Sequence, residues 1–201
     1  MKKILIVVLM LLLIPVGFIQ AQSVYQNDEG HFALIVPNEW GQATQEAVNS
    51  MNNNASQLSG KRVNNVAIFQ RTTGETHPLI TVSIFKNGRM AEGELQTFLN
   101  DKSQQNAFQK EVGKYSKNIP KDKLKEMVWG KFSYDKERKM LLMKSKGVTG
   151  NQTVLVMTAE ALSNYGYVAL NIFSDEQHFD NNLDDFNQVL NSFKFDEGYR
   201  Y

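Results

Sequence analysis

The segment 127–173 constrains the fold most strongly, because its apolar residues alternate along four stretches that are joined by short turns. Predicted strands cover residues 127–134, 139–144, 153–161 and 165–173. The charged run 135–138 separates the first two and is typical of a hairpin tip. Such short connections join neighbouring strands as hairpins, whereas a parallel pair needs a long crossover. The sequence therefore predicts an antiparallel meander rather than βαβ units.

Another predicted strand, at residues 32–36, opens the domain. The pattern F-x-L-x-V places three apolar side chains on one face, and Pro37 ends the strand because it has no N–H for the next ladder position. Trp40 follows, where the chain is expected to turn. Residues 24–28 precede this strand as a hairpin partner, and residues 190–195 are expected to be its closing partner.

Two more strands are predicted between these regions, at residues 66–69 and 79–85. In the second, apolar side chains alternate with Thr81 and Ser83. Alternation of apolar and polar residues is typical of an antiparallel sheet with one face in water. We therefore expect Thr81 and Ser83 on a wet face.

Helical spacing indicates two segments before the last part of the chain. Residues 43–59 form one, with Gly60 where a helix would end. The other begins as a short amphipathic helix at residues 95–99, after a turn at residues 87–88, and helical spacing continues through Phe108, Val112 and Tyr115 until Pro120 ends it.

The last predicted helix is the clearest helical signal in the sequence. Ser174 is expected to cap it, with Gln177 completing a capping box and residues 175–176 in its first turn. Its apolar stripe consists of Phe179, Leu183, Phe186, Leu190 and Phe193. The steps of four and three residues place these side chains on one face, which we expect to be core.

The first 21 residues have the pattern of a secretory signal peptide. A basic start is followed by the apolar run 4–14, and the expected cut lies between Ala21 and Gln22. A cut after Ser23 is the alternative, and an uncleaved anchor is the rival interpretation, although the run is short for a span of about 20 residues. Residues 22–201 then form a single domain, and the protein is expected to be exported, periplasmic or secreted.

Composition excludes some classes of function. The chain has 22 basic and 21 acidic residues, which does not indicate a nucleic-acid binder. It has no cysteine, so neither a disulfide nor thiol catalysis is available, and the core alone must hold the fold.

The sequence predicts no catalytic residue, no cofactor and no metal ligand. His31, His77 and His178 lack the spacing of a zinc site. Acidic residues surround His178, but a solvated helix start explains them. The Ser-x-x-Lys string at residues 133–136 runs from a strand into a hairpin tip, whereas the catalytic motif begins a helix.

One stretch, residues 110–146, is markedly basic, with twelve lysine or arginine residues against five acidic ones. It could form a face for an acidic protein or for anionic lipid headgroups. Alternatively, these are solvated lysines that discourage pairing at a strand edge. The residues expected on such a contact surface are Lys121, Lys123, Lys125, Trp129 and Arg138.

The arrangement of these elements resembles the PsbP-like group. The resemblance rests on F-x-L-x-V-P-x-x-W over residues 32–40, then two strands, a helical middle, two hairpins and a last helix closing on residues 190–195. The group shares its fold with the Ran-binding Mog proteins and with small exported bacterial proteins. The resemblance implies an α+β fold, with a central antiparallel sheet and helices packed on both faces. It also implies an accessory protein that docks on other proteins, and no functional residue carries over.

The function expected from the sequence is that of a non-catalytic exported accessory protein that contacts another envelope protein. The alternative is a small-ligand carrier or an enzyme whose site is not visible as a motif. A cleft that gathers the histidines with carboxylates would favour that alternative.

Overall fold

The chain folds into two antiparallel sheets with helices packed against them, as seen in a computed structural model. The structure describes residues 23–60, 62–73, 78–86, 92–116, 125–149 and 152–199. The strands are β1 (Ser23–Asn27), β2 (Phe32–Val36), β3 (Trp40–Gln42), β4 (Asn65–Arg71), β5 (Leu79–Phe85), β6 (Glu126–Asp135), β7 (Met140–Thr149), β8 (Gln152–Ser163), β9 (Gly166–Asp175) and β10 (Lys194–Phe195). The helices are α1 (Gln45–Ser59), α2 (Glu92–Asn100), α3 (Lys102–Ser116) and α4 (Phe179–Ser192).

The larger sheet contains the predicted meander. Its strand order is β3-β4-β5-β9-β8-β7-β6, and every described pair is antiparallel. The four strands β6 to β9 are consecutive neighbours, which confirms the hairpin prediction, and β5 adds to the free edge of β9. The predicted turn at residues 87–88 and the helix stop at Pro120 lie outside the described residues.

The smaller sheet joins early and late parts of the chain, in the order β1-β2-β10. Lys194 and Phe195 pair with Ala33 and Phe32, so the end of the predicted closing partner 190–195 is confirmed, while residues 190–192 belong to α4. The Ile35 N–H donates to Ser192 Oγ at 2.9 Å, across 157 residues of sequence. The rings of Phe32 and Phe193 stack with centroids 5.2 Å apart, so this sheet is held by packing as well as by its ladder.

The main core lies between the larger sheet and α4 with the small sheet. All five residues of the α4 stripe belong to it or pack against it, which confirms the predicted apolar face. Trp40 is also buried there, and its indole N–H donates to Asp185 Oδ2 at 2.8 Å. The polar contact fixes α4 against the chain that leaves β2.

The predicted start of the last helix is wrong. Ser174 belongs to β9, which pairs with β8 as far as Asp175, and α4 begins at Phe179. The Ser174 hydroxyl accepts a hydrogen bond from Asn182 at 2.8 Å, while Asp175 Oδ1 accepts the His178 backbone N–H at 3.0 Å. Sheet pairing therefore uses the residues that the capping pattern assigned to the helix.

Helices cover the opposite face of the sheet too, so the prediction of helices on both faces is confirmed. Ala47 and Val48 of α1 pack on Ile68, and Leu95 of α2 packs with Leu141. Among the described helices, none has the length and hydropathy that crossing a membrane requires.

The expectation of a wet face at Thr81 and Ser83 is wrong, because both side chains are buried, with 7% and 8% exposed. The Thr81 hydroxyl accepts a hydrogen bond from the Asn171 amide, and the Ser83 hydroxyl donates to Asn65 Oδ1 at 2.8 Å. Polar partners on neighbouring strands replace the water that the alternation pattern implies.

Candidate functional site

A cleft of about 330 Å³ opens where β5 ends and β9 begins. The turn before β2 and a segment that follows β10 complete its walls. The side chains that define it are His31, Phe85, Lys86, Tyr165, Tyr167 and Tyr199. We call this site the aromatic cleft.

The rings of the aromatic cleft are arranged in stacked pairs. Phe85 and Tyr167 stack with centroids 4.5 Å apart and planes 15° apart. His31 and Tyr199 stack at 3.7 Å and 20°, and Tyr165 lies 5.1 Å from Tyr199. Because each ring rests on another, the cleft presents its aromatic faces and edges without needing to rearrange.

Backbone contacts hold both sides of the aromatic cleft. Gly166 has φ +151° and lies so close to the Phe85 carbonyl oxygen that a Cβ there would overlap it. On the other side, the Asp196 N–H donates to the His31 carbonyl at 2.8 Å and the Asn164 N–H donates to the Tyr199 carbonyl at 3.1 Å. The ring positions are thus set by the sheet and by the segment after β10.

Two rings of the aromatic cleft are open to solvent. Tyr165 is 60% exposed and Phe85 is 43% exposed. Large exposed aromatic groups beside a concave surface are typical of contact sites, since tyrosine is enriched at protein interfaces. The charged groups nearby contribute less: Glu29 and Lys86 form an exposed ion pair at 3.0 Å, which is worth little in water.

Burial shifts the pKa of two titratable groups near the aromatic cleft. Burial raises the pKa of the Tyr167 phenol to about 12, and the nearby Glu160 carboxylate adds to that shift. Tyr167 therefore remains a neutral hydrogen-bond donor at physiological pH. Glu160 lies on β8 beneath this tyrosine, and burial raises the pKa of its carboxyl to about 7.

The histidines do not form one site. His31 Nδ1 lies 3.5 Å from Asp196, and His178 Nδ1 lies 2.8 Å from Asp175. These two pairs sit at opposite ends of α4, whose 14 residues span about 21 Å. His77 lies outside the described residues. Within the described part of the chain, no three histidine or acidic side chains are placed to hold a metal ion.

A second cavity, of about 290 Å³, lies beside the turn between β6 and β7 and the end of α4. Arg138, Lys139 and Lys194 line it together with apolar residues that include Leu190 and Phe193. We call it the basic cavity. One residue of the predicted contact surface, Arg138, thus belongs to a concave site.

The rest of the predicted contact surface remains a prediction. Lys121 and Lys123 lie outside the described residues, as do Ala21 and Gln22 at the expected signal cleavage. Lys125 is exposed next to β6, and Trp129 within that strand is half-buried.

Within the described part of the basic stretch, two lysines contact α4 or the turn before it. Lys144 Nζ lies 4.4 Å from the Phe179 ring centroid, and Lys146 Nζ lies 2.8 Å from Glu176. Lys110 belongs to α3, which contacts the outer strand β6. The basic stretch therefore contributes to packing and ion pairing as well as to the surface.

Sequence reasoning missed the aromatic cleft because its residues come from four separate places in the chain. The only local signal is Tyr165-Gly166-Tyr167, where two tyrosines flank a glycine at a hairpin turn. A pattern search has no reason to connect this turn with His31 or Tyr199.

Comparison with known proteins gives limited results. No protein family matches the chain, and no curated protein matches it. Among solved structures, cyanobacterial PsbP (CyanoP) from Synechocystis sp. PCC 6803 is similar over 92% of this chain and 99% of its own, at 13% identity and a TM-score of 0.47. This neighbour bears the PsbP name that the sequence resemblance suggested. At this TM-score the likeness carries no argument about function, and the relation to Mog proteins stays a prediction.

Proposed function

We propose that this chain is an exported, non-catalytic accessory protein that binds another envelope protein through the aromatic cleft. The observation that carries the proposal is the set of stacked rings around an open concavity, with Tyr165 60% exposed. The secretory pattern of residues 1–21 supports the compartment.

The size of the aromatic cleft fits an anchoring side chain rather than a large ligand. Its 330 Å³ lies near the lower limit of small-molecule pockets, which range from about 300 to 1,000 Å³. A partner loop that inserts one apolar or aromatic side chain would fill it, and Tyr165 and Phe85 would cover that anchor from the rim. Interface energy is commonly concentrated in such aromatic contacts.

Site-specific photocrosslinking tests this proposal in the native envelope. A benzophenone amino acid replaces Tyr165 in one variant and Gln57, an exposed residue of α1, in the matched control. We expect one discrete adduct from position 165 and none of the same mass from position 57.

Competition shows whether the adduct depends on the cleft. Excess unlabelled wild-type protein should suppress it, whereas a Phe85→Ala/Tyr165→Ala variant of unchanged circular dichroism should not. Equal suppression by both competitors, or the same adduct from both label positions, would refute the assignment of the cleft.

A further inference from the structure

The basic cavity combines buried apolar side chains with cationic groups nearer to solvent. Ala161 and Leu190 are buried on its inner side, and Phe193 and Phe195 are half-buried beside them. Lys194 is exposed, while Arg138 and Lys139 are half-buried. Such a site presents an apolar surface and a charged end to the same small molecule.

Arg138 is held in place but incompletely bonded. Its Nε donates to Asp135 Oδ2 at 2.8 Å, which orients the guanidinium. Its Nη1 is buried and has no hydrogen-bond partner among the described residues. A carboxylate is the group that matches guanidinium geometry best, and the exposed part of the Arg138 side chain, 29% of its surface, is what the cavity can offer to one.

The charges around the basic cavity favour an anion. Arg138, Lys139 and Lys194 line it, against Glu137 as the single acidic lining residue. The remaining polar residue on its wall, Asn191, supplies an amide. Asp135 already pairs with Arg138, so the local excess of positive charge is modest and suits a single negative charge rather than a phosphate-rich ligand.

We propose that the basic cavity binds a small apolar monocarboxylate, such as a medium-chain fatty acid. The carboxylate lies between Arg138 and Lys194, and the alkyl chain lies against Leu190 and the half-buried ring of Phe193. The 290 Å³ cavity lies just below the usual range of small-molecule pockets, about 300–1,000 Å³, so its ligand must be small, and octanoate is a suitable probe. The residues that line this site are distinct from those of the aromatic cleft.

These cations have a competing structural explanation. The basic cavity adjoins the last turn of α4, where the helix dipole is negative and nearby cations are stabilising. If that were their only role, neutralising Lys194 would lower stability, and no carboxylate would bind.

Methyl NMR titration of the full domain with octanoate distinguishes the two explanations. We expect saturable shifts of the Ala161 and Leu190 methyl groups, with Ile84 of the aromatic cleft unmoved. Octanol, which lacks the charge, should bind at least tenfold more weakly. Shifts confined to Ile84, no saturable shift up to millimolar octanoate, or equal affinity for octanol would each overturn the proposal.

Three variants test which cations bind the carboxylate. Arg138→Gln and Lys194→Gln should each weaken octanoate binding about tenfold or more. Lys136→Gln, in the same turn but outside the cavity lining, should leave the affinity unchanged. Because Lys194 is exposed, its variant decides the outcome even if Arg138→Gln fails to fold. Equal affinity of Lys194→Gln and wild type, or an equal loss in Lys136→Gln, would contradict the assignment.

Discussion

Phe186 lies at the centre of the α4 stripe and is completely buried, so its truncation to alanine tests the core directly. A phenylalanine side chain buries about 150–250 Å². At about 25 cal/mol per Å², this corresponds to an upper estimate of about 4–6 kcal/mol. Measured Phe→Ala changes in protein cores cost about 3–5 kcal/mol. This cost includes that of the remaining cavity, because the surrounding side chains relax only in part. We expect a loss of about 3–5 kcal/mol for Phe186→Ala.

Urea unfolding followed by tryptophan fluorescence measures this loss, since Trp40 belongs to the same core. With an m value of about 2 kcal/mol per molar urea, the midpoint should fall by about 2 M. Phe108→Ala is the matched control, because it removes the same atoms from a ring that is 40% exposed on α3. Phe108 contacts two other rings edge-on, so we expect a loss of about 1 kcal/mol there. Equal losses in the two variants would refute the assignment of the stripe to the core.

Three further predictions concern pH, backbone conformation and a partly buried hydrogen bond. Burial raises the pKa of Glu160 from 4.5 to about 7. Between these two pH values the folded state keeps a proton that the unfolded state releases, so the free energy of unfolding falls as the pH rises from 4.5 to 7. Glu160→Gln should therefore raise the free energy of unfolding by up to about 3 kcal/mol at pH 8 and change it little at pH 5, and parallel pH profiles of wild type and variant would contradict this. Gly60 ends α1 with φ +68°, so Gly60→Ala should lower the free energy of unfolding by about 1 kcal/mol, whereas Gly93→Ala within α2 should raise it by about 0.5–1 kcal/mol. An added methyl group meets no neighbouring atom at either site, so shifts of the melting temperature with the same sign in both variants would contradict this prediction. A double-mutant cycle of Trp40→Phe and Asp185→Ala, which removes the acceptor, should give a coupling of about 1–2 kcal/mol, and additive effects would show that their hydrogen bond contributes nothing to stability.

Local patterns predicted most of the secondary structure because burial follows periodicity. The α4 stripe needs only steps of three and four residues, and the meander needs only alternation and short turns. The start of α4 could not be predicted in this way, because Ser174 and Asp175 suit both a cap and a strand end. The partner strand β8 extends far enough to pair with them, and this decides the outcome.

The two cavities could not be predicted because their walls are assembled by tertiary structure. The sequence indicates Arg138 only as part of a basic stretch, whereas the structure places it with Leu190 and Lys194 in the wall of one cavity. The predicted solvent exposure of Thr81 is wrong for a related reason. A polar side chain is expected to face solvent unless its hydrogen-bond partner is known, and the partner of Thr81, Asn171, lies on another strand.

The position of β2 between β1 and β10 has a consequence for folding kinetics. The contact between Ile35 and Ser192 closes a loop of 157 residues, and such non-local pairs slow the folding of small domains. Until β10 arrives, the edge of β2 that it covers remains open to pairing with another chain. The interval before that edge closes is therefore the period in which an incompletely folded chain is most exposed to aggregation.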